Sequence, residues 1–596
     1  MISLLFGARA LANSFNVGDI DGLYNMRVTY GLLYRLDDAD SDLIAFASGG
    51  EFPSANGDDG NLNYSSGVVS NMLRATGELA LSRGALGVYL RGAAFYDFQT
   101  QGSGPDRTDF SGSAENFVGS DVELRESYVN LNLSPGGMPI VLRAGQQILN
   151  WSETAFVRGG LDIINPADLV TALQPAGTIE DLRNPQRMVW AAANISETFS
   201  MEAYYQYEWQ PVELPPVGWY FSGSDALGAE GMGDWLYGNG NISDLGTDLD
   251  DYFQLPEGTL GFDQEFQRLS GDRRETPDDT GQYGVALIGV FPGRNSVKAG
   301  LHYLRYHSRL PLLSSRTADD ESVLETAEPF VAARAAALES VYLGEGLDPA
   351  EAAVRGRQAA EELTVSGYAN EASLYAAYPE DIDMIGFSFA TSVLKTGSLL
   401  SGELTHHFDY PFQINPNTVT QAALSPVLFD DSIGDTSLGE YGASEVVVGY
   451  ERFDRSQLSL QLAQVYRGRL WADQLVVSAD LAWVKVYDLP NQAEAQLTSS
   501  DGDSWGYRLQ VSAAYFGVGG GVNVEPFVAF SHDVDGTTPG PVSTFVEERK
   551  ALVTGVRGTY INRFSAELRY VSFFGGGRAN ILRDRDYLRL QLSYSL

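Results

Sequence analysis

The stretch LYNMRVTYGLLYRL at Leu23–Leu36 decides the fold. Every second position from Tyr24 to Tyr34 is aromatic or aliphatic, and the positions between them are mostly polar. A period of two is that of a β-strand with one apolar and one polar face. The same alternation ends the chain, in LRLQLSYSL at 588–596. Both ends of the sequence therefore predict amphipathic strands.

Sixteen further runs of this kind lie between the two ends. With the terminal runs they are 23–36, 68–82, 86–98, 122–134, 140–150, 186–195, 200–209, 281–291, 296–308, 383–394, 398–408, 453–467, 471–487, 506–517, 521–533, 547–560, 564–574 and 588–596. Tight links, such as Gly84-Ala85, alternate with long polar segments. Strands of about 10–12 residues tilted by about 40° span about 25 Å, the apolar height of an outer membrane.

This alternation of turns and loops predicts an all-β fold, a transmembrane antiparallel β-barrel of about 18 strands, with 16 as the fallback count. Short turns then face the periplasm, and long loops containing some helix face the outside. A soluble propeller or sandwich is the alternative, but it would not place apolar residues on one face of nearly every strand.

Composition narrows the remaining classes. The 596 residues carry 39 Lys and Arg against 78 Asp and Glu, a formal net charge of −39 that disfavours nucleic acid as a partner. The chain has no cysteine, which excludes disulfides and thiol chemistry. No stretch approaches the ~18 consecutive apolar residues of a membrane-spanning helix.

The sequence predicts one domain. Residues 1–12 end in Ala10-Leu11-Ala12 and are interpreted as the remnant of a signal peptide, the alternative being an apolar strand. Residues 13–596 form a single outer-membrane barrel, whose last strand ends in Leu596 and resembles the signal read by the barrel assembly machinery. The large loops are placed at 37–66, 210–281, 309–382 and 409–444.

Two segments do not read as strands. Residues 151–185 contain Asn165-Pro166, which opens a short helical run, and enough apolar side chains to require cover. We expect this inward segment to fold into the barrel as a constriction. Residues 327–363 are predicted to be helical, with Asp348 as the N-cap and Pro349 at the first helical position.

The polar face of these runs carries charged side chains of both signs. If the apolar faces contact lipid, the lumen receives Arg27, Arg91, Arg143, Glu403, Asp480, Arg508, Glu525, Arg557, Glu567 and Arg589. Arginine pairs bidentately with carboxylates, which suits a wall of cross-strand ion pairs. The alternative is that these residues only solvate a wide interior.

Metal and enzyme chemistry have weak support in the sequence. The acidic loops are candidates for calcium, yet Asp19-x-Asp21 and Asp501-Gly-Asp503 lack the Glu at the twelfth position of a calcium loop, so metal ligands are unassigned. No other cofactor is expected. The five histidines are scattered, and neither G-x-S-x-G nor H-E-x-x-H occurs, so we predict a protein that is not an enzyme.

Several motifs resemble a family of proteobacterial outer-membrane proteins known as domain of unknown function thirteen hundred and two. They run in order along most of the chain: Arg143–Gln147, Trp151-Ser-Glu153, Gly160–Asp168, Tyr220-Phe221 with Asp225, Tyr306–Pro311, Tyr378–Asp381 with Gly386–Phe389, and Gly402-Glu403 ahead of Pro411–Asn415. The sequence departs from the family at Ser152 and Asp162, where Trp-Gly-Glu and Gly-Ile-Asn are usual.

The resemblance implies passage of a hydrophobic or lipid-like molecule across the outer membrane. It also implies a periplasmic lipoprotein and a resistance-nodulation-division transporter as partners, beside outer-membrane lipid and lipopolysaccharide. A substrate-specific or general porin for small hydrophilic solutes is the alternative, and a structural or enzymatic barrel is a third. On the hydrophobic hypothesis the substrate path is predicted to include Trp151, Glu153, Phe156, Asn165, Trp219, Tyr220, Phe221 and Trp235.

Overall fold

One antiparallel sheet closes on itself as a barrel in the computed structural model. It describes residues 13–154, 157–238, 240–272, 274–293, 295–393, 396–427, 437–490, 497–499 and 501–596. The sheet has nineteen strands, of which the first is a short N-terminal arm at Asn13–Val17 and the other eighteen form the closed wall. The sequence-based prediction of an 18-stranded barrel is therefore confirmed, and the fallback of 16 is not needed.

The barrel strands follow one another around the wall in chain order. They are β1 Ile20–Arg35, β2 Gly67–Arg83, β3 Leu86–Asp97, β4 Ser120–Leu133, β5 Ile140–Gln147, β6 Gln186–Asn194, β7 Phe199–Gln206, β8 Gln282–Phe291, β9 Val297–Tyr306, β10 Ile382–Val393, β11 Ser398–Gln413, β12 Tyr450–Arg469, β13 Ala472–Val486, β14 Asp503–Val518, β15 Val522–Asp535, β16 Lys550–Tyr560, β17 Phe564–Phe574 and β18 Tyr587–Ser595.

The first and last strands seal the wall. β1 pairs with β18 from Arg27 opposite Ser595 to Arg35 opposite Tyr587. Beyond the end of β18, the N-terminal arm pairs antiparallel with the start of β1. A tight turn at Gly18 connects the arm to β1. Asn13 Nδ2 donates to the Leu596 carbonyl over 3.0 Å, so the arm and the C-terminus together complete one strand position.

Alternation along each strand separates a lipid-facing surface from the lumen. Leu404 is 47% exposed on the outside, whereas its neighbour Glu403 is 1% exposed on the inside. Leu481 and Asp480 on β13 repeat this contrast. A closed sheet with an apolar outer belt satisfies every backbone group without water, as a bilayer requires. The chain is thus an outer-membrane barrel.

Nine α-helices of the described ranges lie in the connections at the loop end or inside the barrel. They are α1 Asp59–Leu62, α2 Phe98–Gly102, α3 Gly112–Val118, α4 Leu169–Leu173, α5 Leu249–Phe253, α6 Asp320–Glu325, α7 Glu328–Gly344, α8 Pro349–Ala369 and α9 Pro416–Leu424. None of these helices is both long and apolar enough to cross a membrane. A five-stranded sheet joins the larger loops in the order Trp235–Leu236, Arg268–Gly271, Ser373–Ala377, Leu312–Arg316 and Val446–Val447.

Some predicted boundaries differ from those of the structure. β11 continues to Gln413 through a bulge between His407 and Tyr410, so the next loop begins at 414 and not at 409. The bulge adds a residue and breaks the alternation on which the sequence analysis depends. The helix expected at Asn165-Pro166 begins at Leu169, because the Asp168 side chain accepts from Thr171 N and caps it.

The helical stretch predicted at 327–363 is present and is divided between α7 and α8. Gly346 has a φ of +88° and turns the chain between α7 and α8. Asp348 and Pro349 hold the predicted cap positions at the start of α8, where the Asp348 side chain accepts from Ala350 N. Residues 1–12, the predicted remnant of a signal peptide, lie outside the described residues.

Sidedness is testable by cysteine labelling, because the chain has no native cysteine. Glu345 is exposed between α7 and α8 at the loop end, and Glu197 is exposed in the short turn between β6 and β7. We expect a membrane-impermeant maleimide to label Glu345→Cys on intact cells. The matched Glu197→Cys variant should be labelled only after the outer membrane is disrupted. The reverse pattern would contradict the predicted topology.

Candidate functional site

The inward segment, residues 151–185, crosses the interior of the barrel between β5 and β6. It contains 3-10 turns at Leu161–Ile164 and Ile179–Leu182 in addition to α4. Its partners are lumen-facing side chains in the middle of strands, on opposite sides of the wall. The predicted inward fold is thus confirmed, and the segment divides the lumen.

Trp151 fixes the beginning of the segment. Its Nε1 donates to Glu202 Oε2 on β7 over 2.9 Å, and its ring packs 5.2 Å from Tyr204 and 5.3 Å from His302. A buried indole needs such an acceptor, and Glu202 also accepts from Trp190 Nε1. The predicted path residue Trp151 is therefore an anchor of the segment, 4% exposed.

Glu403 on β11 holds the next turn of the segment. Ser152 Oγ lies 2.8 Å from Glu403 Oε2, and the Glu153 amide donates to the same oxygen. A Cβ on Gly160 would lie 2.2 Å from Glu403 Oε1, so a larger residue there would displace the Glu403 carboxylate. The departures from the family motif take part in this turn: Asp162 Oδ1 accepts from the amides of Gly159 and Gly160.

Buried ion pairs tie the far end of the segment to the opposite wall. Asp168 pairs with Arg125 on β4, and Asp181 pairs with Arg91 on β3 over 2.6 Å. Burial by itself would raise the pKa of Asp181, but the nearby guanidinium groups of Arg74, Arg91 and Arg125 hold that pKa below its usual value. The segment is thus held by ion pairs to β3 and β4 on one side and by Glu403 of β11 on the other.

Close backbone contact completes the fit. A Cβ on Gly31 of β1 would lie 2.5 Å from the carbonyl carbon of Pro175, which explains a glycine within an otherwise bulky strand. Gln591 on β18 donates to the Gly177 carbonyl over 3.3 Å. The segment therefore reaches the seam where the barrel closes.

The predicted lumen charges all lie on inward faces, opposite exposed apolar neighbours. Asp480 pairs with Arg508 over 3.3 Å. Glu567 lies 2.7 Å from Arg557 and 3.2 Å from Arg589, and Arg569 joins the same cluster. Arg143 stacks over the Trp190 ring at 4.8 Å. Arg91 and Glu403 hold the inward segment, and the remaining two members of the set are Arg27 and Glu525.

The predicted aromatic path residues of the large loop are packed into the protein. Trp219, Tyr220 and Phe221 are 4%, 0% and 5% exposed. The Phe221 ring contacts Tyr587 at 5.7 Å, and the carbonyl of Tyr220 accepts from the fully buried Arg585. These three residues join the loop between β7 and β8 to the end of the wall.

The other predicted path residues lie apart from one another. Asn165 is fully buried and accepts from the Leu149 amide over 3.1 Å. Glu153 pairs with Lys298 over 2.6 Å. Trp235 belongs to the loop sheet and is half-buried. Phe156 lies outside the described residues, and the role of the whole set in transport stays a prediction.

Arginines from neighbouring connections pair with several acidic residues of the loops. Arg583 lies 2.7 Å from both Asp40 and Asp42, and Arg107 bridges Asp59 and Asp244. Within the described ranges, no group of three or more His, Cys, Asp or Glu side chains is arranged to hold a metal ion. Calcium in these loops stays a prediction.

A cavity of about 450 Å³ lies between the inward segment and the opposite wall. It is lined by Val157–Gly159 and Ile163 of the segment, by Ser308–Leu310 after β9, and by parts of β12 and β15–β17. Five of its side chains are basic and one is acidic. The basic ones are Arg158, Arg309, Arg455, Arg549 and Lys550, and the acidic one is Asp533.

The sequence motifs did not predict this cavity. Arg309 was present in the motif Tyr306–Pro311, and Arg455 falls on the polar face of the run 453–467. Neither motif indicates that the two side chains share a cavity. Arg309 and Arg455 are far apart in the chain, and the inward segment forms part of the cavity wall.

A model described as "Protein of unknown function (DUF1302)" matches residues 1–596. The chain belongs to this DUF1302 family. The predicted family is therefore confirmed. No curated protein matches the sequence.

Several solved structures are similar to the DUF1302 chain. Acinetobacter baumannii OccAB1 shares 10% identity, with 99% of each chain covered and a TM-score of 0.41. Pseudomonas aeruginosa OccK11 (OpdR) shares 9% identity, with 96% of each chain covered and a TM-score of 0.38. A BenF-like porin from Pseudomonas fluorescens Pf-5 shares 8% identity over 96% of this chain and 98% of that one, with a TM-score of 0.41.

The inward segment of the DUF1302 chain should limit ion flow. Replacing Gly159–Asp181 by a short Gly-Ser linker removes the part of the segment that crosses the lumen. We expect single-channel conductance in planar bilayers to rise severalfold, because a wide barrel is otherwise an aqueous pore.

A milder variant checks the same point. Asp168→Asn leaves Arg125 buried with a weaker partner, a loss that costs about 3–5 kcal/mol when one side of a buried pair is removed. It should increase current fluctuations, whereas Arg187→Gln, which breaks an exposed pair with Glu208 on the outer face, should not. Unchanged conductance in the linker variant would show that the segment does not restrict the pore.

Glu213 makes the packing of the inward segment sensitive to pH. It lies in the loop after β7, and Glu213 N donates to the Ala167 carbonyl over 2.8 Å. Burial raises its pKa to about 8, and the nearby Asp168 and Glu123 add to this, against Arg125 and Asn184. A carboxyl group whose pKa is raised on folding stabilises the fold at low pH, and that contribution is lost as pH rises through about 8.

We therefore expect current fluctuations of the channel to increase as pH rises through about 8. Glu213→Gln keeps the acceptor for Asn184 Nδ2 but cannot ionise. Its fluctuations should stay constant over the same range in planar bilayers. Equal pH responses of the two proteins would assign the effect to another group.

Proposed function

We propose that this chain is a substrate-selective outer-membrane channel for small solutes, without a catalytic step of its own. The observation that carries the proposal is the inward segment, which is fixed to both sides of the wall and narrows the lumen to a defined cavity. A general porin would need a wide bore, and a structural barrel would need no cavity between the segment and the wall.

The free part of the interior supports passage of polar molecules. Its wall carries the Asp480–Arg508 pair and the Glu567 cluster, so a solute meets alternating charges on rigid strands. Charged groups that are held by neighbours stay in place when a solute passes, which favours recognition over simple hydration.

The hydrophobic route has a weaker basis in the geometry. The aromatic side chains proposed for it at Trp151 and Trp219–Phe221 are buried in contacts with the wall, and a path along them would require those contacts to open. An apolar molecule gains only from surface it can reach. A periplasmic lipoprotein and an inner-membrane transporter as partners stay predictions of the family resemblance.

Ion selectivity tests the proposed channel. Although the chain has a net charge of −39, the cavity is lined by five basic side chains and one acidic one. The local field in a narrow path decides which ions enter, and it is least screened at low salt. We therefore expect the reversal potential in a KCl gradient to show preference for chloride.

Two variants sharpen this test. Arg455→Gln removes a cavity charge and should move the reversal potential towards potassium. Arg187→Gln removes one outer-face charge of the same type and should leave it unchanged. A non-conducting protein, or strong cation selectivity that neither variant alters, would contradict the proposed function.

A further inference from the structure

We propose that the cavity beside the inward segment binds an amphipathic monocarboxylate, a molecule with one carboxylate group on an apolar body. The inference rests on the proposed function and adds the chemical class of the substrate. It is carried by two buried guanidinium groups that share the cavity and have no carboxylate partner among the described residues.

Arg309 is the first of these groups. It is 2% exposed, and its bonds go to neutral acceptors: Nη1 donates to Gln186 Oε1 and the Gln210 carbonyl, and Nη2 donates to Gln206 Oε1. Its Nε is buried without a hydrogen-bond partner. A guanidinium has five N–H donors, so Nε and one hydrogen on Nη2 are unused.

Arg309 stays charged despite its burial. Desolvation lowers its pKa to about 10, which still leaves it protonated at neutral pH. A buried cation without a counter-ion is costly, and an anion in the adjoining cavity would offset that cost.

Arg455 on β12 is the second group. It is 3% exposed, donates to the Gly159 carbonyl over 3.2 Å and to Gln457 Oε1 over 2.6 Å, and lies 5.3 Å from the centre of the Tyr410 ring. The other charges of the cavity are largely compensated. Arg549 pairs with Asp533 over 2.7 Å, and Arg158 pairs with Asp162 over 3.3 Å.

The remaining lining is apolar. Val157, Ile163 and Leu169 cover the side formed by the inward segment, and Leu310, Phe545 and Phe573 cover parts of the loops and the wall. Apolar lining with a few convergent polar groups is the usual composition of a small-molecule site, and about 450 Å³ is within the usual range. An inorganic anion would use the arginines but leave this surface in contact with water.

The sign and shape of the ligand's charged group follow from the two arginines. Arg309 has two N–H donors without a partner, and Arg455 uses two of its five donors, for the Gly159 carbonyl and Gln457 Oε1. A planar carboxylate can accept two parallel N–H bonds from one guanidinium. A cation would be repelled by both arginines.

Binding is tested on the full chain, purified in a non-ionic detergent, by titration calorimetry with 2-naphthoate. The matched ligands are neutral 2-naphthamide and cationic 2-naphthylmethylammonium. We expect 2-naphthoate to bind at least tenfold more tightly than the amide, and the ammonium not to bind. Arg455→Gln should weaken 2-naphthoate binding at least tenfold, and Arg187→Gln should leave it unchanged.

A second variant separates the loss of the binding site from misfolding of the Arg455→Gln protein. Ala551→Phe fills the cavity from β16 and leaves every charged residue in place, so it should abolish binding of 2-naphthoate. Equal affinity for the acid and the amide, normal binding by Ala551→Phe, or displacement of 2-naphthoate by inorganic phosphate but not by decanoate would overturn the proposal. A protein that conducts ions yet fails these titrations would retain the proposed channel function and lose only the carboxylate site.

Discussion

The requirement that every backbone hydrogen bond be made inside the protein governs this structure. Lipid offers no donor or acceptor, so a sheet in the membrane cannot keep an open edge. The pairing of β1 with β18, extended by the arm at Asn13–Val17, removes that edge. Once the wall is closed, strand length, alternation and the even strand number follow from the thickness of the membrane and the antiparallel order.

Closure with so many strands creates a second problem, which is the space inside. The inward segment fills part of this space, and specific partners offset the cost of burying its polar groups. Asp168 and Asp181 pair with arginines, Trp151 donates to Glu202, and Gly31 leaves space for Pro175. These contacts are distributed around the wall, so the segment has little freedom to move as a rigid unit. Beside it remains the cavity of about 450 Å³ that holds Arg309 and Arg455.

The parts of the structure that follow from local rules could be predicted from the sequence. The strands could be located because lipid on one side enforces a period of two, and the cap at Asp348 could be identified because it depends on neighbouring residues alone. The end of β11 could not, since a bulge near Asp409 hides the register. The cavity could not either, because Arg309 and Arg455 come together only through the closure of the barrel and the path of the inward segment.

The distribution of charge separates the roles of surface and interior. Acidic residues dominate the chain, yet in the loops many of them are paired with arginines from other connections, as Asp40 and Asp42 are with Arg583. Inside, the order is reversed: Glu567 is surrounded by Arg557, Arg569 and Arg589, and the cavity is mainly basic. An anion approaching this molecule therefore crosses a negative exterior before it reaches a positive interior. Such an arrangement favours a ligand whose apolar body gains contact inside, which is why charge and apolar lining have to be considered together in assigning what passes through.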